Sequence, residues 1–203
     1  MNLKPKFRSL IKLNETPDLR IHYKEQTCSA RLTKAIESLL NQNERPLVLV
    51  CIGTDRSTGD SLGPIIGSQL KSLHLPSLHI FGSLEEPVHA VNLKDVYSKI
   101  KSSFQDPYII AVDACLGRYA NVGMITVGEG PVLPGAGVNK NLPPIGEAHI
   151  TGIVNVSGYM EYFVLQNTRL HVVMSMAEVI SRSIHKAVEN HTNIKVKTKI
   201  KFI

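Results

Sequence analysis

Residues 47–64, LVLVCIGTDRSTGDSLGP, decide the fold that the sequence predicts. The first six residues are all apolar, which is the pattern of a strand buried on both faces. Gly53 ends this strand, and a polar loop leads to Asp60 and Ser61, two good helix N-caps. Apolar residues at helical spacing follow: Leu62, Ile65, Ile66, Leu70 and Leu73. The sequence thus predicts strand, loop and helix, with Asp60 at the junction where ligands bind in open α/β sheets.

The rest of the chain alternates strand and helix patterns. Further strands are predicted over 78–81, 108–112, 122–127 and 149–156, and helices over 29–40, 91–100, 159–166 and 172–188. This alternation is typical of an α/β domain with a largely parallel sheet and helices on both faces. The tail 195–203 alternates Lys with apolar or Thr residues, which predicts an antiparallel edge strand. Residues 1–28 show no clean periodicity and are expected to form a strand pair, an arm or a partly disordered segment.

Length and composition indicate one domain over residues 1–203 in a reducing compartment. Cysteine occurs three times, an odd number that does not suggest a disulfide framework. No apolar run approaches the roughly 20 residues of a membrane helix, and the first 20 residues lack the apolar block of a signal peptide. We therefore expect a cytoplasmic protein without a membrane partner.

The charge pattern argues against nucleic acid as a partner. The net charge is +6, which taken alone suggests nucleic-acid binding. The excess lies at the two ends of the chain, however, because residues 46–190 contain 10 basic and 12 acidic residues. The middle of the chain, which carries the predicted site, is thus neutral to acidic.

Two aspartates follow predicted strands and are the main catalytic candidates. Asp60 follows the strand of 47–52, and Asp113 directly follows the apolar run 108–112. If the two strands are parallel neighbours, both carboxylates emerge at the same edge of the sheet. Such a pair can split its pKa values, so that one group acts as a base and the other as an acid. The same pair can instead bind a divalent metal with a third ligand, and the structural alternatives are an N-cap for Asp60 and a turn for Asp113.

Histidines and a long loop supply weaker candidates. His89 and His149 lie near predicted strand ends, where each is a candidate third ligand or acid–base group, with a surface or capping role as the default. The loop 131–147 is rich in Gly and Pro, and loops of this length are usually functional or disordered. The segment beginning Gly53-Thr54-Asp55 is not a GxGxxG fingerprint, which disfavours a dinucleotide cofactor.

Three blocks of the sequence resemble the germination protease of spore formers. The block from Gly53 to Pro64 is similar to that protease's first block, in which a glycine is followed seven residues later by Asp in a PDALGP-like motif. Residues 110–114, IAVDA, resemble its second block, and 134–139, PGAGVN, resemble its PGSGVGN-like third. The first two blocks also resemble the hydrogenase maturation endopeptidases, and the whole chain is most similar to a family of sporulation proteins.

The resemblance implies a three-layer α/β/α domain of the phosphorylase/hydrolase-like type. It also implies an atypical aspartic endopeptidase in a sporulating bacterium, whose catalytic residues match Asp60 and Asp113. In the hydrogenase maturation group the matching aspartates join a histidine on nickel. No motif of this sequence places that histidine, so we expect no cofactor, with a divalent metal such as nickel at Asp60 and Asp113 as the alternative. Thr54 stands where both relatives have Asn.

The expected substrate is a protein or peptide of the mother cell or forespore. Backbone donors to a developing oxyanion are expected from Gly53, Thr54 and the loop residues Gly135, Gly137 and Asn139. Two alternatives stay open: a non-catalytic protein that binds a peptide or partner in the same cleft, and a metal-dependent maturation endopeptidase. An oligomer is compatible with every one of these alternatives.

Overall fold

The part of the chain that the structure describes contains six strands and five helices. A computed structural model describes residues 18–41, 44–134 and 143–200, with the side chains of 195–200 excepted. The strands are β1 (Leu19–His22), β2 (Leu47–Cys51), β3 (Leu78–Phe81), β4 (Tyr108–Gly117), β5 (Met124–Glu129) and β6 (Ala148–Val156). The helices are α1 (Cys28–Leu40), α2 (Leu62–Ser72), α3 (Leu93–Ser103), α4 (Glu161–Gln166) and α5 (Leu170–Ile200).

The strands form one mostly parallel sheet in the order β1-β5-β6-β4-β2-β3. Strands β6, β4, β2 and β3 are parallel to one another, whereas β5 is antiparallel to β6 and β1 is antiparallel to β5. Parallel strands need crossover connections, which the helices between them provide. The predicted α/β class with a largely parallel sheet is confirmed.

Alternate side chains of the buried strands pack into two separate cores. On one face, Leu49, Ile110 and Ile150 pack with apolar residues of α1, α2 and α5. On the other face, Val48, Val50 and Ile109 pack with α3 and with Val132 and Ile145 of the segment that enters β6. Helices therefore lie on both faces, in three layers, and α3, with 11 residues, packs on the second face.

The predicted edge strand at the basic tail is wrong. Helix α5 continues through Ile200, and residues 201–203 lie outside the described part of the chain. No Gly or Pro follows Gly158 in the sequence, so nothing interrupts a helix that already adds one hydrogen bond per residue. The antiparallel edge is instead formed by β5 and β1, and most of the segment 1–28, residues 1–17, lies outside the described part of the chain. Although α5 has 31 residues, no helix in the described ranges is long and apolar enough to cross a membrane.

Candidate active site

The loop that follows β2 is closed by a glycine in a conformation that other residues rarely adopt. Gly53 has φ +146°, and a Cβ added there would lie 1.9 Å from the carbonyl oxygen of Asp60. The same carbonyl accepts a hydrogen bond of 3.1 Å from the N–H of Thr54. The loop therefore returns onto its own start, and this contact fixes the backbone of Asp60 against the end of the strand.

A second close approach holds the first turn of α2 on the strand. A Cβ added to Gly63 would lie 2.1 Å from the carbonyl oxygen of Ile52. Asp60 lies in the short 3₁₀ turn that precedes α2, and Ser61 occupies the N-cap position of that helix. The Ser61 hydroxyl donates to the Thr58 carbonyl (2.7 Å) and makes no cap. The alternative in which Asp60 is only the N-cap of α2 does not fit this arrangement.

Asp113 lies inside a strand and not at the end of one. The sequence predicted that the strand stops at residue 112, but β4 continues to Gly117 because β6 pairs with it over this stretch, Asp113 opposite Thr151. The pairing of β2 with β4 ends at Val112. Asp113 is therefore the first residue of β4 beyond its shorter neighbour, next to the loop that carries Asp60. Asp60 and Asp113 are thus neighbours at this edge of the sheet because β2 is shorter than β4.

The side chains of Asp113, His149 and Thr151 lie on the same face of the sheet. Along β4, Ile110 and Val112 belong to the core under α1, α2 and α5, so Asp113 faces the opposite side. On β6, Ile150 belongs to that same core, so the residues on either side of it share the face of Asp113. This is the face on which α3 packs.

A cavity of about 450 Å³ opens at this edge of the sheet and contains both aspartates. Its lining includes the polar residues Asp60, Asp113, His149, Thr151, Ser157 and Glu161, and the apolar residues Leu116, Val132, Leu133 and Leu165. Its volume falls within the range typical of small-molecule and peptide-side-chain pockets. Polar groups on three separate parts of the chain therefore converge on one space that a ligand can enter.

Asp113 is a much weaker acid than an ordinary aspartate. Burial, and then the charge of Asp60, raise the pKa of Asp113 from 3.8 to about 8, and the hydrogen bond from the Ala114 N–H (2.9 Å) offsets part of this. At neutral pH the Asp113 carboxyl is therefore mostly protonated and is a hydrogen-bond and proton donor. An acid next to a second carboxylate is the arrangement that general acid–base hydrolysis requires.

Cys115 lines the same cavity as a neutral thiol. Burial and the neighbouring Asp113 raise its pKa to about 11, against a smaller opposite effect of a hydrogen bond with Thr151. Because the thiolate is the nucleophilic form, this cysteine is poorly suited to covalent catalysis at neutral pH.

The two candidate histidines have different places. His149 lines the cavity, and its Nδ1 lies 3.2 Å from the carbonyl oxygen of Gly130. His89 does not line the cavity; its N–H donates to the side chain of Asn92 (2.8 Å), and its Nδ1 accepts from the Val91 N–H (3.3 Å) at the start of α3. The structural role that was the default for His89 therefore fits, whereas His149 lies where an acid–base group or ligand would act.

The backbone donors expected from the first loop are already engaged. The Gly53 N–H donates to the Val88 carbonyl (2.8 Å), and the Thr54 N–H donates to Asp60 as described above. Neither residue lines the cavity. Both shape the loop and do not offer a free N–H to a substrate. Gly135, Gly137 and Asn139 lie outside the described residues, so their predicted role stays a prediction.

The described His, Cys, Asp and Glu side chains do not form a metal site. Among the described residues, no group of three or more His, Cys, Asp and Glu side chains is arranged to hold a metal ion. The positions of Asp60, Asp113 and His149 therefore do not fit a resident nickel ion as they stand, and we derive no chemical step from one.

Comparison with known proteins assigns the chain to a family. Residues 20–183 match the model described as "Protein of unknown function (DUF1256)". The chain belongs to this family. It is 54% identical over 160 residues to "Uncharacterized protein YyaC" of Bacillus subtilis (strain 168), and the match covers 76% of this chain and 78% of YyaC. The similarity to YyaC that the whole sequence indicated is confirmed. The DUF1256 match covers both Asp60 and Asp113.

A solved structure is also similar to this DUF1256 chain. It is a [NiFe] hydrogenase maturation protease, HycI from Thermococcus kodakarensis KOD1, at 16% sequence identity and a TM-score of 0.48. The match covers 74% of this chain and 98% of HycI. A likeness this distant says nothing about activity, so the proposal below rests on residues of this chain.

The sequence did not point to every residue of the cavity. Thr151 was findable, because it follows His149 by two residues in a predicted strand and so shares its face. Glu161 and Leu133 carried no such signal, because their position depends on how α4 and the segment after β5 pack around the sheet.

Proposed function

We propose that this cavity hydrolyses a peptide bond, with Asp113 as the general acid and Asp60 as the general base. The observation that carries the proposal is the pair of carboxyls in one cavity, of which Asp113 has a pKa raised to about 8 by burial and by Asp60. The three sequence blocks that resemble the germination protease support the same residues. A resident cofactor is not part of the proposal.

The proposed step uses one water molecule and conserves the protons of the site. The Asp60 carboxylate takes a proton from water as the water oxygen attacks the carbonyl carbon, and Asp113 donates its proton to the carbonyl oxygen. Collapse of the tetrahedral intermediate breaks the C–N bond while the proton held by Asp60 passes to the leaving nitrogen. The carbonyl oxygen returns its proton to Asp113, so both aspartates end as they began. His149 lies in position to hold the substrate or its water.

The substrate class is a protein or peptide of a sporulating cell. This part rests on the sporulation-family resemblance, which also leads us to propose the cytoplasm of the mother cell or forespore as the place of action. Acidic residues dominate the charged lining of the cavity, which disfavours nucleic acid as a substrate.

Asp→Asn variants test the proposal directly. Purified wild type, Asp60→Asn, Asp113→Asn and the double variant are incubated with a peptide library, and cleavage is read by mass spectrometry. We expect each single change to lower the rate by about two to four orders of magnitude, and the double variant to lose little more because both residues serve one step. Asp55→Asn, in the same loop but exposed, is the matched control for loss of one carboxylate.

Two outcomes would contradict the proposal. If wild type cleaves nothing with chelator or with added nickel, a non-catalytic protein that binds a peptide is the better description. If cleavage appears only with nickel, the metal-dependent alternative gains support, and the two aspartates become ligands in place of an acid–base pair.

A further inference from the structure

A cluster of exposed apolar side chains lies beside the cavity, around the start of α4. Tyr159, Met160, Tyr162 and Phe163 are 86%, 59%, 65% and 56% exposed. Scattered single apolar residues are ordinary on a surface, but four large ones within five consecutive residues form a patch of the kind that marks interaction sites. We call residues 159–163 the α4 platform.

The α4 platform is held firmly against the site although its side chains face solvent. The Asn155 side chain donates to the Val164 carbonyl (3.2 Å) and to the Thr168 hydroxyl (3.1 Å), which ties α4 to β6. A Cβ on Gly59 would lie 2.7 Å from Leu165, so α4 also packs directly on the turn that carries Asp60. A fixed apolar surface loses little conformational entropy when it binds a partner.

The platform is continuous with the cavity. Glu161 stands in the middle of the platform and lines the cavity, and Leu165 of the same helix does so as well. On another part of the lining, Leu133 is 63% exposed. An extended chain that places one residue at Asp60 and Asp113 therefore has apolar surface for the residues beside it.

The charge of the cavity lining favours a basic occupant. Among the described residues of the lining, Asp60 and Glu161 supply carboxylates, Asp113 is mostly protonated at neutral pH, the histidine is His149, and neither Lys nor Arg is present. Arg20 of β1 acts electrostatically on Cys115 but does not line the cavity. A carboxylate amid aromatic side chains suits a cation whose aliphatic stem packs on the rings.

We infer that the α4 platform is the docking surface for the polypeptide substrate, and that the bound segment carries a large apolar side chain next to a lysine or arginine. This inference rests on the proposed function for its occupant. Glu161 then sets the preference for a basic residue, and Tyr159, Tyr162 and Phe163 bind the apolar neighbour.

Binding without cleavage tests the inference. The bait is the full chain with Asp113→Asn, which keeps the neutral character of that side chain near pH 7, and the probe is a phage-displayed library of random peptides of about 12 residues. We expect enriched peptides to pair Lys or Arg with Phe, Tyr or Leu. A bait that also carries Glu161→Lys is expected to enrich Asp or Glu at the basic position. Absence of any enriched motif overturns the inference.

Matched surface variants locate the contact. One enriched peptide, labelled with fluorescein, is titrated by fluorescence anisotropy. We expect Tyr159→Ser with Phe163→Ser to weaken its Kd at least about tenfold, as loss of two aromatic anchors does. The control pair is Val91→Ser with Ile194→Ser, which are 85% and 60% exposed and do not line the cavity. An equal Kd in both pairs overturns the inference, as does a wild-type dimer that only the Tyr159/Phe163 pair dissociates in sedimentation equilibrium.

Failure of this inference is distinguishable from failure of the proposed function. A peptide that binds through the platform but is not cut by wild type removes the peptidase and leaves the docking surface. Library peptides that wild type cuts with the same KM as the Tyr159→Ser, Phe163→Ser variant remove the docking surface and leave the peptidase.

Discussion

Replacing Asp113 with Asn should stabilise the protein relative to wild type, and this stabilisation should grow as the pH rises. The pKa of Asp113 is about 8 in the folded protein, whereas its ordinary value is 3.8. Because the folded-state pKa is the higher of the two, folding takes up a proton at pH values between them. The stability that comes from this proton is fully present below about pH 4 and is lost as pH rises through about 8. Asn cannot titrate, so the Asp113→Asn variant does not suffer this loss.

The expected size of the effect follows from the shift. One pKa unit corresponds to about 1.4 kcal/mol, so the stability difference between variant and wild type should grow by up to about 1.4 kcal/mol per pH unit between pH 4 and 8. At pH 7 the accumulated difference approaches about 4 kcal/mol, and it levels off above pH 8. Asp60→Asn should narrow the difference, because the charge of Asp60 is the second cause of the raised pKa.

Urea denaturation of wild type and variant at about pH 5, 6, 7 and 8 measures this difference. Any constant effect of the substitution on packing is the same at each pH and drops out of the slope. Asp55→Asn serves as the control for removing a carboxylate from an exposed position. A stability difference that stays flat from pH 5 to 8 would refute the raised pKa of Asp113, and with it the role of Asp113 as general acid.

Further outcomes follow from other contacts. Peptidase activity should fall above about pH 8, where Asp113 loses the proton that it donates, as a pH–rate profile would show. Gly63→Ala should cost more than about 2 kcal/mol in urea melts, because the added carbon meets a backbone carbonyl at 2.1 Å, whereas Gly152→Ala should cost less because it meets only side-chain ends. Arg45→Lys should lower the free energy of unfolding by about 0.5–1 kcal/mol, because it loses a bidentate ion pair of 2.7 and 2.8 Å to the partly exposed Glu147. Deleting residues 135–139 should leave the Tm nearly unchanged and abolish peptide binding, since residues 132 and 145 already pair at the base of the loop.

The fold followed from local patterns wherever the sequence contains clear boundaries. Strand β2 and helix α2 were predicted closely because Gly53 separates a period-free apolar run from a helical one. The tail failed because its alternation of Lys and apolar residues fits a short strand, while the absence of any Gly or Pro before it favours continuing α5. A pattern of nine residues carries less weight than a helix that has already formed.

The sequence predicted the two aspartates of the candidate site but not the other residues that line its cavity. Asp60 and Asp113 each follow a strand pattern, and parallel neighbours bring such positions to one edge of the sheet. The sequence did not show the relative lengths of the strands. Asp113 lies in the cavity because the pairing of β2 with β4 ends at Val112, one residue before Asp113. Glu161 and the exposed side chains around it depend on how α4 rests on Gly59, which is a tertiary contact with no local signature.

The destabilisation that Asp113 causes at neutral pH is an argument that this residue has a function. A carboxyl whose pKa is raised to about 8 destabilises the fold at neutral pH, and a Thr or Asn at this position on β4 would avoid that cost. The loop opposite is equally demanding, because Gly53 must keep φ +146° for the backbone of Asp60 to close on it. The cost at Asp113 is hard to explain by stability alone, since a single substitution could relieve it. Such a cost is expected where the chain retains an acid and a base for a reaction.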